Sequence, residues 1–467
     1  MPIDLRFEPD ETSLLTDLYE LTMAASYFQM GFNDRACFTL SVRRLPPHRG
    51  FLVAAGLERL LEALEHFQFS QSALDSLDAL KLFSVEFLQF LGNLRFTCEI
   101  DAVPEGTILF AEEPILEING PLIEAQLVES LVMNQIGLAT LIASKAARSV
   151  IAARGRRLVD FGLRRSQGVD ASLVAARSCY LTGFVGTSNV LAGCRYHIPL
   201  YGTMAHSYIM AHERERDAFA HFVELFPRLS TVLVDTYDTL RGVENAAVVA
   251  RDLRDKGFKL QAVRLDSGDL ADLSVKARRI LDQNGLQDVS IFASGNLDEY
   301  RIRDLIRAGA PIDAFGVGTA MVVSADAPSL DLAYKLAEYR GVPRLKTSIN
   351  KLTLPGRKQW FRAFNTNGGF YADAIGLADE GATTVAREFR PAAAEVLPML
   401  ERQFNEGYRI GQRSTLLESR EYLLESMAKL EQRYKDLDKP ATYPVKHTAA
   451  LSAMVINERM RAEKRQD

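Results

Sequence analysis

From about residue 155 to residue 320 the chain repeats one short pattern: an apolar run, a polar turn, then a helical stretch. No other feature limits the possible folds as strongly. The runs are Leu158-Val159, Ile198-Pro199-Leu200-Tyr201, Val232-Leu233-Val234, Ala262-Val263, Ile291-Phe292-Ala293 and Ala314-Phe315-Gly316-Val317. The last four recur roughly every 25 to 30 residues, the length of a strand with a short crossover helix. Six such units predict a parallel sheet rolled into a (β/α) barrel, closed or nearly so. An open doubly wound sheet is the rival, but no Gly-x-Gly-x-x-Gly follows the first run.

The flanks have a different rhythm. Apolar spacing predicts helices over 14–30 and 51–67, a strand over 36–42, short strands and turns over 96–122, and a long helix over 126–153. Strand character returns at 344–347 and 360–364, followed by the hairpin signal Asn367-Gly368-Gly369. These stretches predict a discontinuous α+β domain, residues 1–155, rejoined by about 341–380. The barrel then occupies 156–340, and 381–467 reads as a helical C-terminal segment.

A chain of 467 residues is too long for one core. Its 47% hydrophobic and 25% charged residues are an ordinary globular mix. A formal net charge of −5 argues against a basic face for nucleic acid or an anionic membrane. An anionic substrate must then be held by a local cluster of arginines and backbone amides. Cys37, Cys98, Cys179 and Cys194 form no Cys-x-x-Cys pair and read as reduced thiols of a cytoplasmic protein. Residues 1–10 carry no apolar signal core, and no stretch is expected to approach a membrane span.

Barrel strands end on one face, so the residues after each run are the candidates for chemistry. They include Phe161 with Arg164, Thr203 with His206, Asp235, Arg264 with Asp266, Ser294-Gly295-Asn296, and Gly318-Thr319. Asp269 and Asn296 can equally be read as caps of the helices that follow. Arg264 and Asp266 precede the cap position and need another explanation. Gly295 and Gly318 suit close backbone approach to phosphate oxygens, with a helix N-terminus adding its dipole. Among His197, His206, His212 and His221 no pair has the spacing of a shared helix face. Asp235 and Asp266 better suit Mg²⁺ held jointly with substrate phosphates. No P-loop is present.

These pieces resemble the nicotinate phosphoribosyltransferase family. The resemblance rests on Leu15-Thr16-Asp17-Leu18-Tyr19-Glu20-Leu21-Thr22-Met23, Asp160-Phe161-Gly162-Leu163-Arg164-Arg165, Gly186-Thr187-Ser188-Asn189-Val190-Leu191-Ala192-Gly193, Gly202-Thr203-Met204-Ala205-His206-Ser207, Arg264-Leu265-Asp266-Ser267-Gly268-Asp269 and Gly316-Val317-Gly318-Thr319. It covers about residues 12–380. The resemblance implies an irregular (β/α) barrel of the type II phosphoribosyltransferase kind. It also implies conversion of nicotinate and phosphoribosyl pyrophosphate to nicotinate mononucleotide and pyrophosphate, coupled to ATP hydrolysis.

By the same resemblance, His206 matches a phosphorylated histidine. Tyr19 and Phe161 hold the pyridine ring, with Tyr19 coming from the other subunit of a homodimer that shares its active sites. Arg264 and Thr203 contact nicotinate or the phosphoribosyl part, and Arg164 binds phosphate. Asp235 and Asp266 hold ribose hydroxyls or Mg²⁺, and Ser294, Gly295, Gly318 and Thr319 cradle the 5-phosphate. The nearest rival, nicotinamide phosphoribosyltransferase, has an aspartate where this chain has Ser188, and that aspartate would repel a carboxylate substrate. A phosphate-binding barrel lyase or isomerase is more remote, since no strand here ends in a lysine for a Schiff base.

Overall fold

The computed structural model describes residues 9–346, 353–411 and 413–463. The first eight residues, and the Thr347 end of the strand expected at 344–347, lie outside the described residues. Two compact units are present: Met1–Leu141 with Ser329–Asp467, and Ile142–Pro328. The insertion thus starts inside a helix and ends at 328, earlier at both edges than the expected 156 and 340.

The inserted unit is built on β1 (Arg157–Asp160), β2 (Gly186–Thr187), β3 (Thr231–Leu233), β4 (Ala262–Leu265), β5 (Ser290–Ala293) and β6 (Ala314–Val317). They lie in the order β2-β1-β6-β5-β4-β3, and every pairing is parallel. Chain neighbours are neighbours in space and β6 returns to β1, so the order is that of a barrel with one seam, between β2 and β3. The run expected as a strand at 198–201 contributes only a single bridge, Leu200 to Thr187. Pro199 has no N–H to give a ladder.

The pleat decides what faces inward. Val159, Ala262, Phe292 and Ala314 pack together, with Phe161 and Val185 against them. One pleat further along the same strands, the next inward positions are Phe161, Arg264, Ser294 and Gly316. Polar and aromatic side chains are thereby stacked on an apolar floor at the C-terminal edge. Aspartates start three of the helices: Asp238 accepts from the Arg241 N–H, Asp269 from the Ala271 and Asp272 N–H groups, and Asp298 from the Arg301 N–H. Asp269 is a cap as read, whereas Asn296 is not. The helix begins at Glu299, and Asn296 sits before it with a φ of 47°.

The other unit holds a seven-stranded sheet ordered Val342–Pro343, Leu332–Tyr339, Arg35–Val42, Pro114–Pro121, Glu99–Ala102, Glu401–Asn405, Tyr408–Arg409. All its described pairings are antiparallel. The strand that rejoins the N-terminal part is Leu332–Tyr339, from the stretch assigned by sequence to the barrel. The Asn367-Gly368-Gly369 signal does join a hairpin, Lys358–Phe364 to Phe370–Leu377, but in a separate four-stranded sheet. Trp360, fully buried, ties the two sheets by donating its indole N–H to the Pro114 carbonyl at 2.9 Å. The C-terminal part contains the helices Ala382–Val385, Leu416–Lys429 and Ala449–Glu463, and the strands Glu395–Pro398, Glu401–Asn405, Tyr408–Arg409 and Val445–His447 besides.

One helix departs from the expectation about membrane spans. Glu129–Ala153 is long and apolar enough to cross a membrane by length and composition, and 78% of its most apolar stretch is buried within the protein.

Arg362 and Asp373 are both buried in this unit, paired at 2.6 Å, with Arg362 also donating to the Ile108 carbonyl and Tyr443 donating to Asp373. Removing one member strands a buried charge, which costs about 3–5 kcal/mol. Asp373→Ala should lower the unfolding free energy by that amount in urea titration. A loss under about 1 kcal/mol would mean the pair is hydrated and replaceable.

Candidate active site

Arg264, the third residue of β4, occupies the centre of the C-terminal edge. Its Nε donates to the Ser294 hydroxyl, Nη1 to the Thr203 hydroxyl and Nη2 to Asp266 Oδ1, each at 2.8 Å. Its guanidinium carbon lies 5.4 Å from the centroid of the Phe161 ring, within cation–π range. Phe161 stacks in turn on Phe292, with centroids 5.6 Å apart. A side chain at Gly316 would strike the Phe161 ring at 2.5 Å, so the glycine leaves the seat that the ring occupies.

Asp266 accepts from Arg264 and from the Ser294 hydroxyl. Burial opposes its ionisation, but those two donors outweigh it and hold its pKa below the usual carboxylate value. Asp235 Oδ2 accepts from the Asp266 N–H at 3.1 Å and from the Ser267 hydroxyl. Asp235 Oδ1 is buried with no hydrogen-bond partner. His206 opens the short helix His206–Met210. Its Nδ1 lies 3.1 Å from the Thr236 hydroxyl, and Nε2 lies 3.9 Å from Asp266 Oδ2, too far for a hydrogen bond. The ring is 42% exposed, open to a large anionic partner.

Phe161, Thr203, Asp235, Arg264, Asp266 and Ser294 are therefore joined in one network, and the His206 ring lies beside it, 3.9 Å from Asp266 Oδ2. Ser188 is half-buried just past β2, and its N–H donates to the Asp160 carbonyl at 2.9 Å. Arg164 is exposed in the turn Leu163–Arg165 after β1. Gly295 needs its φ of +91° and its missing side chain, because a Cβ would meet the Asp266 carbonyl at 2.0 Å. The helix dipole expected beside it is displaced, since the helix starts at Glu299. Gly318 precedes Thr319–Val322, a single helical turn whose dipole is correspondingly small. Tyr19, in the other unit, is the second residue of Leu18–Met30, and 46% of it is exposed. Burial, and next the Glu129 carboxylate, raise its phenol pKa.

Thr236 and Ser267 were not singled out from sequence, although each directly follows a predicted aspartate. A cavity of about 580 Å³ runs below this edge, lined by Phe161, Thr203, Tyr201 and Phe292 near the network and by Arg157 and Lys259 further down. In the other unit, Arg43, Arg44, Lys335, Lys358 and His447 line a cavity of about 260 Å³. Each of these side chains already faces a carboxylate, in Asp331, Glu129, Glu117 or Glu112.

The comparisons with known proteins agree over most of the chain. Residues 14–137 match the nicotinate phosphoribosyltransferase (NAPRTase) N-terminal domain, 156–351 the NAPRTase family proper, and 357–455 its C-terminal domain. The chain belongs to the nicotinate phosphoribosyltransferase family. A member from Mycobacterium tuberculosis is 51% identical over 364 residues, covering 78% of each chain. One from Bacillus subtilis is 38% identical over 463 residues, covering 95% of this chain and 94% of its own. The crystal structure of human nicotinic acid phosphoribosyltransferase superposes with a TM-score of 0.84 at 29% identity, covering 95% of this chain and 99% of that one. The type II phosphoribosyltransferase architecture expected from sequence is the architecture of this family.

Within that fold, Asp266 links pH to stability. Its folded pKa lies below the unfolded value of about 3.9. The stabilisation is therefore complete above that value and lost as pH falls through the folded pKa. Asp266→Asn should lower Tm at pH 7, and its gap to wild type should shrink as pH falls below the unfolded value of about 3.9. A gap that stays constant would place the effect in packing alone.

Proposed function

We propose that the protein transfers the phosphoribosyl group of phosphoribosyl pyrophosphate to nicotinate, releasing pyrophosphate, with ATP hydrolysis coupled through His206. What carries the reading is the Arg264 cluster set against the Phe161 ring, in a chain of this family. An aromatic anion fits such a place. Its ring can lie along Phe161, while Arg264 supplies positive charge at the ring edge. Ser188 offers a neutral hydroxyl at the position where a carboxylate would repel nicotinate, and this favours nicotinate over nicotinamide.

Transfer breaks the anomeric C–O bond to pyrophosphate and forms the C–N bond to the pyridine nitrogen. Positive charge builds on the ribose as the bond stretches, so the Asp266 and Asp235 side chains stabilise it and orient the ribose hydroxyls. Exposed Arg164, with the backbone at Ser294-Gly295 and Gly318-Thr319, is assigned to the phosphates. Among the described residues no three His, Cys, Asp or Glu side chains converge on a metal. The unpartnered Asp235 Oδ1 fits a Mg²⁺ that takes its other oxygens from substrate phosphates and water. When bound there, Mg²⁺ would neutralise phosphate charge.

His206 is the phosphoryl carrier in this scheme. A neutral ring nitrogen attacks the terminal phosphorus of ATP, the bond to ADP breaks, and water later releases phosphate from the histidine. Thr236 holds the ring for that step. We further assign a cytoplasmic homodimer, with Tyr19 of the partner subunit completing the pyridine clamp. Neither nucleic acid nor membrane has a part in the reaction.

Purified protein with phosphoribosyl pyrophosphate, Mg²⁺ and ATP should form nicotinate mononucleotide from nicotinate and turn over nicotinamide more slowly. Equal or faster use of nicotinamide would overturn the substrate assignment. His206→Ala should abolish nicotinate-dependent ATP hydrolysis while leaving the circular dichroism spectrum unchanged. Coupling that survives the change would exclude a phosphohistidine at this position. Ser188→Asp should cut kcat/KM for nicotinate at least about tenfold, since like charges in contact cost several kcal/mol; an unchanged value would place Ser188 away from the carboxylate.

A further inference from the structure

Asp160 takes no part in the scheme above, yet it is placed where the two substrate-facing turns meet. It ends β1 immediately before Phe161, and its side chain is almost wholly buried at 2% exposure. A carboxylate in such a place is costly unless each oxygen is hydrogen-bonded. Asp160 Oδ1 accepts the Gly162 N–H at 2.8 Å, and Oδ2 accepts the Thr187 hydroxyl at 2.7 Å. Its backbone carbonyl accepts the Ser188 N–H at 2.9 Å. One residue thus grips the turn after β1 on one side and the turn after β2 on the other.

The grip extends outward through Thr187. Its hydroxyl accepts the Asn189 N–H at 3.0 Å, and Asn189 Oδ1 accepts the Ala192 N–H at 3.2 Å, capping the helix Val190–Tyr196. The Thr187 N–H donates to the Pro199 carbonyl at 3.1 Å, and the Tyr201 N–H donates to the Thr187 carbonyl at 2.9 Å. Tyr201 leads in turn to Thr203, which Arg264 holds. Gly186 lets β2 and the 199–201 segment close together, since a Cβ there would come within 2.3 Å of the Pro199 carbonyl.

We infer that Asp160 is a positioning residue: with Thr187 it sets the register between the Phe161 ring and the Ser188 turn, and so governs how the protein tells a pyridine carboxylate from a pyridine carboxamide. This rests on the assignment of nicotinate given above. Ring recognition and carboxylate recognition come from different strands, and only a rigid link between them keeps the two at a fixed distance. Misplacement by about 1 Å is enough to cost up to a hundredfold in a reaction of this kind.

The test uses Thr187→Val, which deletes the hydroxyl at constant shape, Thr187→Ser, which keeps it, and Asp160→Asn. KM for nicotinate, KM for phosphoribosyl pyrophosphate, kcat and the nicotinate-to-nicotinamide ratio of kcat/KM are measured for each, beside thermal unfolding. Thr187→Val and Asp160→Asn should raise the nicotinate KM about tenfold and erode the ratio, leaving the phosphoribosyl pyrophosphate KM within about twofold. Thr187→Ser should restore wild-type values. Folded variants that keep the wild-type nicotinate KM and ratio would overturn the inference. So would variants that weaken both substrates equally, because a general loss of order has that signature. With wild-type turnover of nicotinate established first, failure here falls on Asp160 and Thr187 alone.

Discussion

A single guanidinium holds the C-terminal edge of the parallel sheet together. Arg264 reaches Ser294 from β5, Thr203 from the segment that bridges to β2, and Asp266 from its own strand end, and it lies over the Phe161 ring from β1. Charge-assisted bonds of this kind are stronger than neutral ones, and they are directional because the fork is planar. Without them a carboxylate, two hydroxyls and an aromatic ring would each need water or another partner. The site is accordingly built before any substrate arrives.

The pleat explains why these groups meet at all. On β1, β4, β5 and β6 the lower inward positions are Val159, Ala262, Phe292 and Ala314. The upper ones are Phe161, Arg264, Ser294 and Gly316. The two-residue period keeps these positions on one face of the sheet, and the parallel register sets Arg264 beside Phe292 and Gly316 beside Val159, so the polar and aromatic groups rise directly from the apolar floor. The small residue at Gly316 and the large one at Phe161 are complementary halves of one contact.

Much of this was legible in the sequence. Apolar runs at a strand-plus-helix spacing announced the parallel sheet, and reading off what followed each run found the network members Phe161, Thr203, Asp235, Arg264, Asp266 and Ser294, with His206 beside them. What remained hidden depended on contacts distant in the chain. Thr236 and Ser267 sit beside residues that were found, but the partner of Ser267 is set by how β3 lies against β4, and that of Thr236 by where the helix His206–Met210 comes to lie. Of the two readings open for Asn296, the cap fails because the helix starts later, behind Asp298. The strand Glu401–Asn405 carries Glu, Arg, Gln and Asn around a single buried Phe404, so no alternation betrays it. It is a strand because Glu99–Ala102 offers it a paired edge.

The central claim is that this edge receives nicotinate, and a crystal soaked in nicotinate tests it most directly. The account predicts density for a pyridine ring along Phe161, with its carboxylate on the side of Ser188. An empty edge at saturating nicotinate, or a ring bound away from Phe161 and Arg264, would contradict it.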